Sequence, residues 1–324
     1  MKAILCRTFG SLDSLSMEEI ESPAPKEDEI LIKVSACGIN FPDLLIIQDK
    51  YQFKPTLPFS PGGEVSGIVE AVGASIKSFK IGERVIALCS WGGLAEKLVA
   101  KENRVYKMPQ AFDFISAACT LYAYGTSYHA LKDRAMIKAD ETLLVLGASG
   151  GVGLAAVNLG KIMGARVIAA ASTDEKLEVC RNSGADHLIN YSKQNLRTEI
   201  TSIAPEGVDV IYDAVGGSLS EMALRSMAWG GRYLVVGFAS GEIPKFAANL
   251  ALLKGCSIVG VFWGQFAARE YEWNLKNFDQ INSWIKAGAI KPNIFKVYEH
   301  KNSMQALKDL KERKVIGKAV VKIV

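Results

Sequence analysis

One short segment restricts the fold of this chain more than any other. Residues 143–156 read Leu-Leu-Val-Leu-Gly-Ala-Ser-Gly-Gly-Val-Gly-Leu-Ala-Ala. An apolar run of strand character reaches Gly147, Gly150 and Gly153, spaced GxxGxxG, and a helical run from Val152 to Met163 follows. Strand, glycine turn and helix in this order suit a backbone that must approach a dinucleotide diphosphate. Missing side chains clear the approach. The unpaired N–H groups and positive dipole end of the helix attract the anion. The bland alternative is a tight turn needing glycine for sterics alone, but three glycines at this spacing exceed that need. Gly147, Gly150, Gly151, Val152 and Gly153 are therefore the expected diphosphate contacts.

The flanking sequence repeats the rhythm. Strands are expected at Thr142–Leu146, Arg166–Ala170, Val208–Tyr212, Arg232–Val236 and Ser257–Val261. Helices are expected at Asp174–Ser183 and Ser218–Met227. Alternation of this kind predicts βαβ units and a parallel sheet covered on both faces, a doubly wound domain over 119–261. Residues 1–118 differ in character, with β-branched runs at Ile30–Val34, Gly67–Gly73 and Arg84–Leu88 broken by a Pro- and Gly-rich loop. The tail has helices at Tyr271–Ala287 and Ser303–Glu312 and a strand at Ala319–Val324. We expect 262–324 to join 1–118 in one β-rich domain, making an α/β protein of two domains.

Composition excludes other classes. A net charge of +4 with no basic run argues against a nucleic-acid partner. Six cysteines are dispersed without a CxxC pair, which argues against a disulfide framework or thiolate metal cluster. No window is long and apolar enough to cross a membrane, and MKAILCRTFG lacks the h-region of a signal peptide. A cytoplasmic protein with reduced thiols is expected.

The end of the second parallel strand reports on the dinucleotide. NAD-binding folds place Asp or Glu there to hold the ribose 2′-OH. Here the segment is Ala169-Ala170-Ala171-Ser172-Thr173-Asp174-Glu175-Lys176, with Ala171 at the acid's position. Ser172 and Lys176 are candidates to hold a 2′-phosphate, and Asp174 and Glu175 suit the first turn of a helix. NADPH is the expected cofactor. An ordinary exposed helix lysine is the alternative for Lys176.

Three further segments carry a resemblance. Ala36-Cys37-Gly38-Ile39-Asn40-Phe41-Pro42-Asp43, Pro61-Gly62-Gly63-Glu64-Val65-Ser66-Gly67 and Lys80-Ile81-Gly82-Glu83-Arg84-Val85 look like the active-site loops and turn of the medium-chain dehydrogenase/reductase superfamily. With Gln48-Asp49-Lys50-Tyr51-Gln52, Tyr124-Gly125-Thr126-Ser127-Tyr128 and Asp213-Ala214-Val215-Gly216-Gly217, the chain resembles the zinc-free NADPH:quinone oxidoreductase family. The resemblance implies a GroES-like catalytic domain beside a Rossmann domain. Zinc enzymes of the superfamily carry CGxC-H and GHE in the two loops, whereas this chain has Asn40 and Gly63 at the ligand positions. A catalytic zinc takes about three protein ligands, so no metal is expected. Gly63 also stands where serine is common in that family, which is expected to free space near the site.

The resemblance also implies site roles. Asn40 would contact the nicotinamide or orient a substrate carbonyl, unless it only satisfies a turn. Tyr51 sits where related enoyl-thioester reductases carry a tyrosine proposed as proton donor, unless it is a packed loop aromatic. Thr126 would neighbour the nicotinamide, unless it caps a helix. Gly237, Phe238 and Ser240 follow a strand at the end of the sheet where ligands gather. Phe262 and Trp263 would wall the nicotinamide pocket, unless they pack in the core or a dimer. Tyr191 and Arg313 match adenosine-phosphate contacts. Asp43 would brace its loop.

Without a Lewis acid, an electron-poor acceptor such as a quinone or another conjugated enone needs less polarisation than an alcohol. The expected reaction is hydride transfer from NADPH to such a small molecule. A 2-enal or enoyl-thioester reductase is the alternative enzyme. An NADPH-binding redox sensor without turnover is the alternative of another class. A homodimer is expected by resemblance, with Ser257–Val261 pairing with its twofold mate.

Overall fold

Five consecutive buried residues, Thr142–Leu146, form the central strand of a six-stranded parallel sheet in the computed structural model, which describes residues 1–324. Spatial order is His187–Asn190, Arg166–Ala171, Thr142–Leu146, Val208–Asp213, Met227–Val235, Ser257–Gly260. Numbered along the chain, this is 3-2-1-4-5-6, the Rossmann order. The order reverses between Thr142–Leu146 and Val208–Asp213, so the carboxyl ends of those strands flank the switch point where such sheets bind ligands. Both faces are covered, which is why the strands read as unbroken apolar runs.

Two strand features differ from expectation. His187–Asn190 is a strand that had not been anticipated, because four residues show no clear period. The fifth strand starts at Met227 rather than Arg232, and its pairing register shifts between Val208 and Val210 to absorb the Gly230-Gly231 turn residues.

This compact unit comprises Ala123–Ile281. Its C-terminal limit lies beyond the expected 261. The reason is helix Tyr271–Lys286, whose first part is fastened inside the unit. Trp263 Nε1 donates to Asn274 Oδ1 at 2.9 Å, and Lys132 Nζ donates to Asn277 Oδ1 at 2.6 Å.

Met1–Tyr122 with Asn282–Val324 forms the other unit. Its seven-stranded sheet is built on the 11-residue strand Glu29–Ile39. That strand pairs antiparallel with Glu64–Val72, Lys97–Lys101 and Lys318–Lys322. Register shifts between Leu31/Ile32 and Val34/Ala36 bend it enough to serve all three. The sheet is antiparallel except where Ile294–Glu299 runs parallel to Lys318–Lys322, across helix Ser303–Lys311. Ile4, Ile30, Ile32, Ile47 and Val65 form the heart of its core. No helix is long and apolar enough to cross a membrane.

Candidate active site and cofactor site

The glycine turn assigns a separate reason to each glycine. Gly147 has φ +66°, a conformation a side chain would strain, and a Cβ there would lie 2.7 Å from Val215 Cγ2. A Cβ on Gly153 would collide with the Gly147 carbonyl and the Ala148 backbone, so glycine lets the helix close on the turn. Gly150 is different. Its φ of −77° suits any residue, and a Cβ would meet only the Gly147 oxygen at 3.5 Å. No packing demands glycine there, so the missing side chain leaves an open cradle. Gly150 is also the N-cap of helix Gly151–Ile162, and no side chain caps that end. The first helical N–H groups, from Gly151, Val152 and Gly153, lack intrahelical partners. This backbone fits a dinucleotide diphosphate.

The end of the second strand gathers three of the expected phosphate contacts. Asn190 pairs with Ala171, and the Tyr191 amide donates to the Ala171 carbonyl at 3.2 Å, which brings Tyr191 beside Ser172. Lys176 Nζ donates to Ser172 Oγ at 3.3 Å. Thr173 caps helix Asp174–Asn182 by accepting from the Lys176 amide. Asp174 is turned to Asn190 and Lys193, 2.6 and 2.5 Å away, and the Lys193 hydrogen bond holds its carboxyl below the usual range. The half-buried cation and the hydroxyl at this strand end are both donors, the kind of group a 2′-phosphate site requires. Arg313 lies apart in the sequence and belongs to the other unit, exposed at φ +59° just after helix Ser303–Lys311.

Gly237, Phe238 and Ser240 extend the fifth strand past the sheet. The Gly237 amide donates to Asp213 O, and the Ser240 amide to Val215 O at 2.8 Å. They therefore stand beside the fourth strand's carboxyl end. Asp213 itself is buried and fully engaged, accepting from Tyr233, Ser220, Val215 and Gly216.

Thr126 and Trp263 are both buried. Leu121–Arg134 is one helical run with widened turns at Leu121–Gly125 and His129–Arg134, so Thr126 lies within a helix rather than capping one. Trp263 is 4% exposed, its ring fills the space a Cβ on Gly125 would need, and its N–H is taken by Asn274. Its indole is core rather than an open wall. Phe262 remains 44% exposed.

In the other unit, strand register assembles a buried polar cluster. Gly38 pairs with Glu64, and Ile39 pairs with Ala319, so Asn40, Glu64 and Lys318 converge from three adjacent strands. Lys318 Nζ donates to Asn40 Oδ1 at 2.5 Å, to Ile39 O at 3.2 Å and to Glu64 Oε2 at 3.3 Å. Asn40 Nδ2 donates to Gly38 O and Glu64 Oε2, both at 3.2 Å. The Asn40 amide is therefore bonded on both its nitrogen and its oxygen, and only 8% of the residue is exposed. Sequence reasoning had missed Glu64 as a partner, Lys318 and Tyr122.

Asp43 braces the loop. It accepts the Asn40 backbone N–H at 2.7 Å and also the Gly62 N–H, while burial pushes its carboxyl up to about 6. Gly63 leaves no spare room: a Cβ there would stand 3.0 Å from the Cys89 carbonyl oxygen. The expected space is filled by backbone, and the position cannot carry a longer side chain unchanged. Cys37 is fully buried, and burial drives its thiol well above the usual range. No group of three or more His, Cys, Asp or Glu side chains is placed to share a metal ion.

Tyr51 follows helix Phe41–Ile47 and shares a hydrogen bond with the Tyr122 phenol. Burial raises the Tyr51 phenol, and the Tyr122 bond partly opposes that. Tyr122 is driven further up by its own burial. Both phenols stay protonated near neutrality.

Comparison with known proteins agrees with this geometry. Residues 26–110 match the family "alcohol dehydrogenase GroES-like domain", and residues 151–280 match "zinc-binding dehydrogenase". Quinone oxidoreductase-like protein 2 of Bos taurus is 36% identical, covering 99% of this chain and 92% of its own. Quinone oxidoreductase of Sus scrofa is 34% identical, covering 99% and 97%. The crystal structure of Escherichia coli quinone oxidoreductase complexed with NADPH superposes with a TM-score of 0.93 at 27% identity, over 100% of both chains. With the two sheets, the open glycine turn, and Asn40 and Gly63 at the positions of zinc ligands, this chain is an oxidoreductase of the zinc-free quinone oxidoreductase family in the medium-chain dehydrogenase/reductase superfamily.

Proposed function

We propose that this protein transfers a hydride from NADPH to a quinone or a similarly conjugated carbonyl acceptor. The observation that carries the reading is the Gly150 cradle at the switch point, with Lys176 and Ser172 at the end of the neighbouring strand. The NADPH complex of the E. coli relative supports the cofactor, and the quinone oxidoreductase relatives support the acceptor class.

Residues 147 and 150–153 would line the diphosphate, with the backbone N–H groups of 151–153 donating to it. Ser172, Lys176 and Tyr191 would hold the adenosine phosphate. Gly237, Phe238 and Ser240, at the sheet's carboxyl end, with Thr126 and exposed Phe262, would bound the nicotinamide side. When bound, NADPH supplies the hydride. Asn40, both of whose amide protons are engaged, would border the acceptor, and the Tyr51 phenol, kept protonated by burial, would orient the acceptor carbonyl and supply a proton. Positioning and exclusion of water would provide most of the acceleration.

A second reading, reduction of a 2-enal or enoyl thioester, draws on the Tyr51–Tyr122 pair, because a carbon protonated after hydride addition needs a nearby acid. We also infer a homodimer formed along the exposed edge strand Ser257–Gly260. Ile258 there, with Leu252, Leu253 and Trp229, forms an exposed apolar group (40, 78, 68 and 81% exposed). Six unpaired thiols favour the cytoplasm.

The test is anaerobic NADPH oxidation against matched quinone and enoyl-thioester panels, repeated with NADH. Turnover of quinones with NADPH supports the reading. Turnover of crotonyl-type thioesters alone replaces it with the second, and tight NADPH binding without turnover on either panel makes the chain a sensor.

A further inference from the structure

The most unusual feature of the first unit is an ion pair sealed from water. Glu64 is 0% and Lys318 4% exposed. Burying two charges costs several kcal/mol each in desolvation, and a well-packed apolar pair generally stabilises a fold as well or better. Stability therefore does not explain the pair, and its hydrogen bonds suggest what does. The three protons of the Lys318 ammonium point to Asn40 Oδ1, Ile39 O and Glu64 Oε2. This lysine fixes which way round the Asn40 amide sits: oxygen to the cation, nitrogen to the carboxylate.

Glu64 then divides its two oxygens. Oε2 accepts from Asn40 Nδ2 and Lys318, while Oε1 accepts the Tyr122 backbone N–H at 2.8 Å. Tyr122 in turn bonds Tyr51. A single carboxylate thus joins both residues proposed to border the acceptor, although neither was linked to it by sequence.

We infer that Glu64, locked by Lys318, is a positioning residue that sets Asn40 through one oxygen and the Tyr122–Tyr51 pair through the other. The inference rests on the reading that Asn40 and Tyr51 border the acceptor. Only a group with two acceptor oxygens can do this, because every partner is a donor. A glutamine of the same size has one acceptor oxygen, so it must present N–H₂ either to the Tyr122 N–H or to Asn40 and Lys318.

The test uses the full chain carrying Glu64→Gln, Lys318→Met, or both, with an acceptor that the wild type reduces. Glu64→Gln is expected to lower kcat about 10- to 100-fold, the cost of sub-ångström misplacement. NADPH Kd should stay within about twofold, because the glycine turn belongs to the other unit. Each single variant leaves one buried charge unpaired and should lower Tm. The double variant leaves none and should regain Tm while kcat stays low. A kcat for Glu64→Gln within about twofold of wild type, or a kcat that returns with Tm in the double variant, overturns the inference. If the wild type reduces no acceptor, the functional reading fails instead. Positioning is then read from the Asn40 side-chain amide resonances: a shift or broadening in Glu64→Gln supports it, and resonances unchanged from wild type overturn it.

Discussion

Gly150→Ala separates binding from folding at the glycine turn. At φ −77° and ψ 170° alanine is unstrained, and its methyl would meet only the Gly147 oxygen at 3.5 Å. Two effects on stability oppose each other. Loss of glycine's freedom in the unfolded chain stabilises by roughly 0.4–1 kcal/mol. Alanine at an N-cap is worse than glycine by up to about 1 kcal/mol. Tm should therefore stay within about 3 °C of wild type. Binding has no such cancellation. The methyl enters the space left for the diphosphate, and losing one charge-assisted hydrogen bond costs about 1.5–3 kcal/mol. The NADPH Kd, measured by fluorescence titration, should rise at least about tenfold. Gly153→Ala provides the contrast, since its Cβ strikes the Gly147 carbonyl and Ala148 backbone. It should lower Tm by several degrees, in line with overpacking of about 1–3 kcal/mol. A Gly150→Ala protein that binds NADPH within about twofold of wild type refutes the reasoning.

Three further outcomes follow from the same geometry. Lys176→Ala should reduce the preference for NADPH over NADH by about fivefold to tenfold, less than a buried ion pair would, because Lys176 is half-exposed; ratios of kcat/KM for the two cofactors decide it. Asp43 holds its proton to about 6 when folded but to about 4 when unfolded, so folding takes up a proton between these values, and its contribution is lost as pH rises through 6. Asp43→Asn should thus compare more favourably with wild type at pH 7.5 than at pH 5, by about 1.4 kcal/mol in denaturant titrations, and an unchanged difference would contradict the burial argument. Ile258→Lys, on the exposed edge strand, should shift the protein from dimer to monomer in sedimentation equilibrium without changing NADPH Kd.

The parallel-sheet unit was legible because its signals are local. Strand, glycine turn and helix at 142–162 lie within one stretch of chain, and buried strands have no polar face to confuse the pattern. His187–Asn190 escaped because four residues, two of them half-buried, give no period. The site in the other unit was only partly legible. Asn40 and Tyr51 were singled out through loop resemblance alone. Lys318 reaches Asn40 across 278 positions of sequence and Glu64 across 254, through strand register that no local pattern encodes. Trp263 shows the converse: an aromatic after the last strand looks like a pocket wall until Gly125 and Asn274 are seen to enclose it. The same holds for Gly63, where a missing side chain suggested space and the Cys89 carbonyl occupies it.

The most direct test of the central claim is a crystal structure of the protein soaked with NADPH. Diphosphate oxygens should lie within hydrogen-bonding distance of the backbone N–H groups of residues 151–153, with the 2′-phosphate beside Ser172 and Lys176. A dinucleotide bound elsewhere, or a turn that stays empty at saturating NADPH, would contradict it.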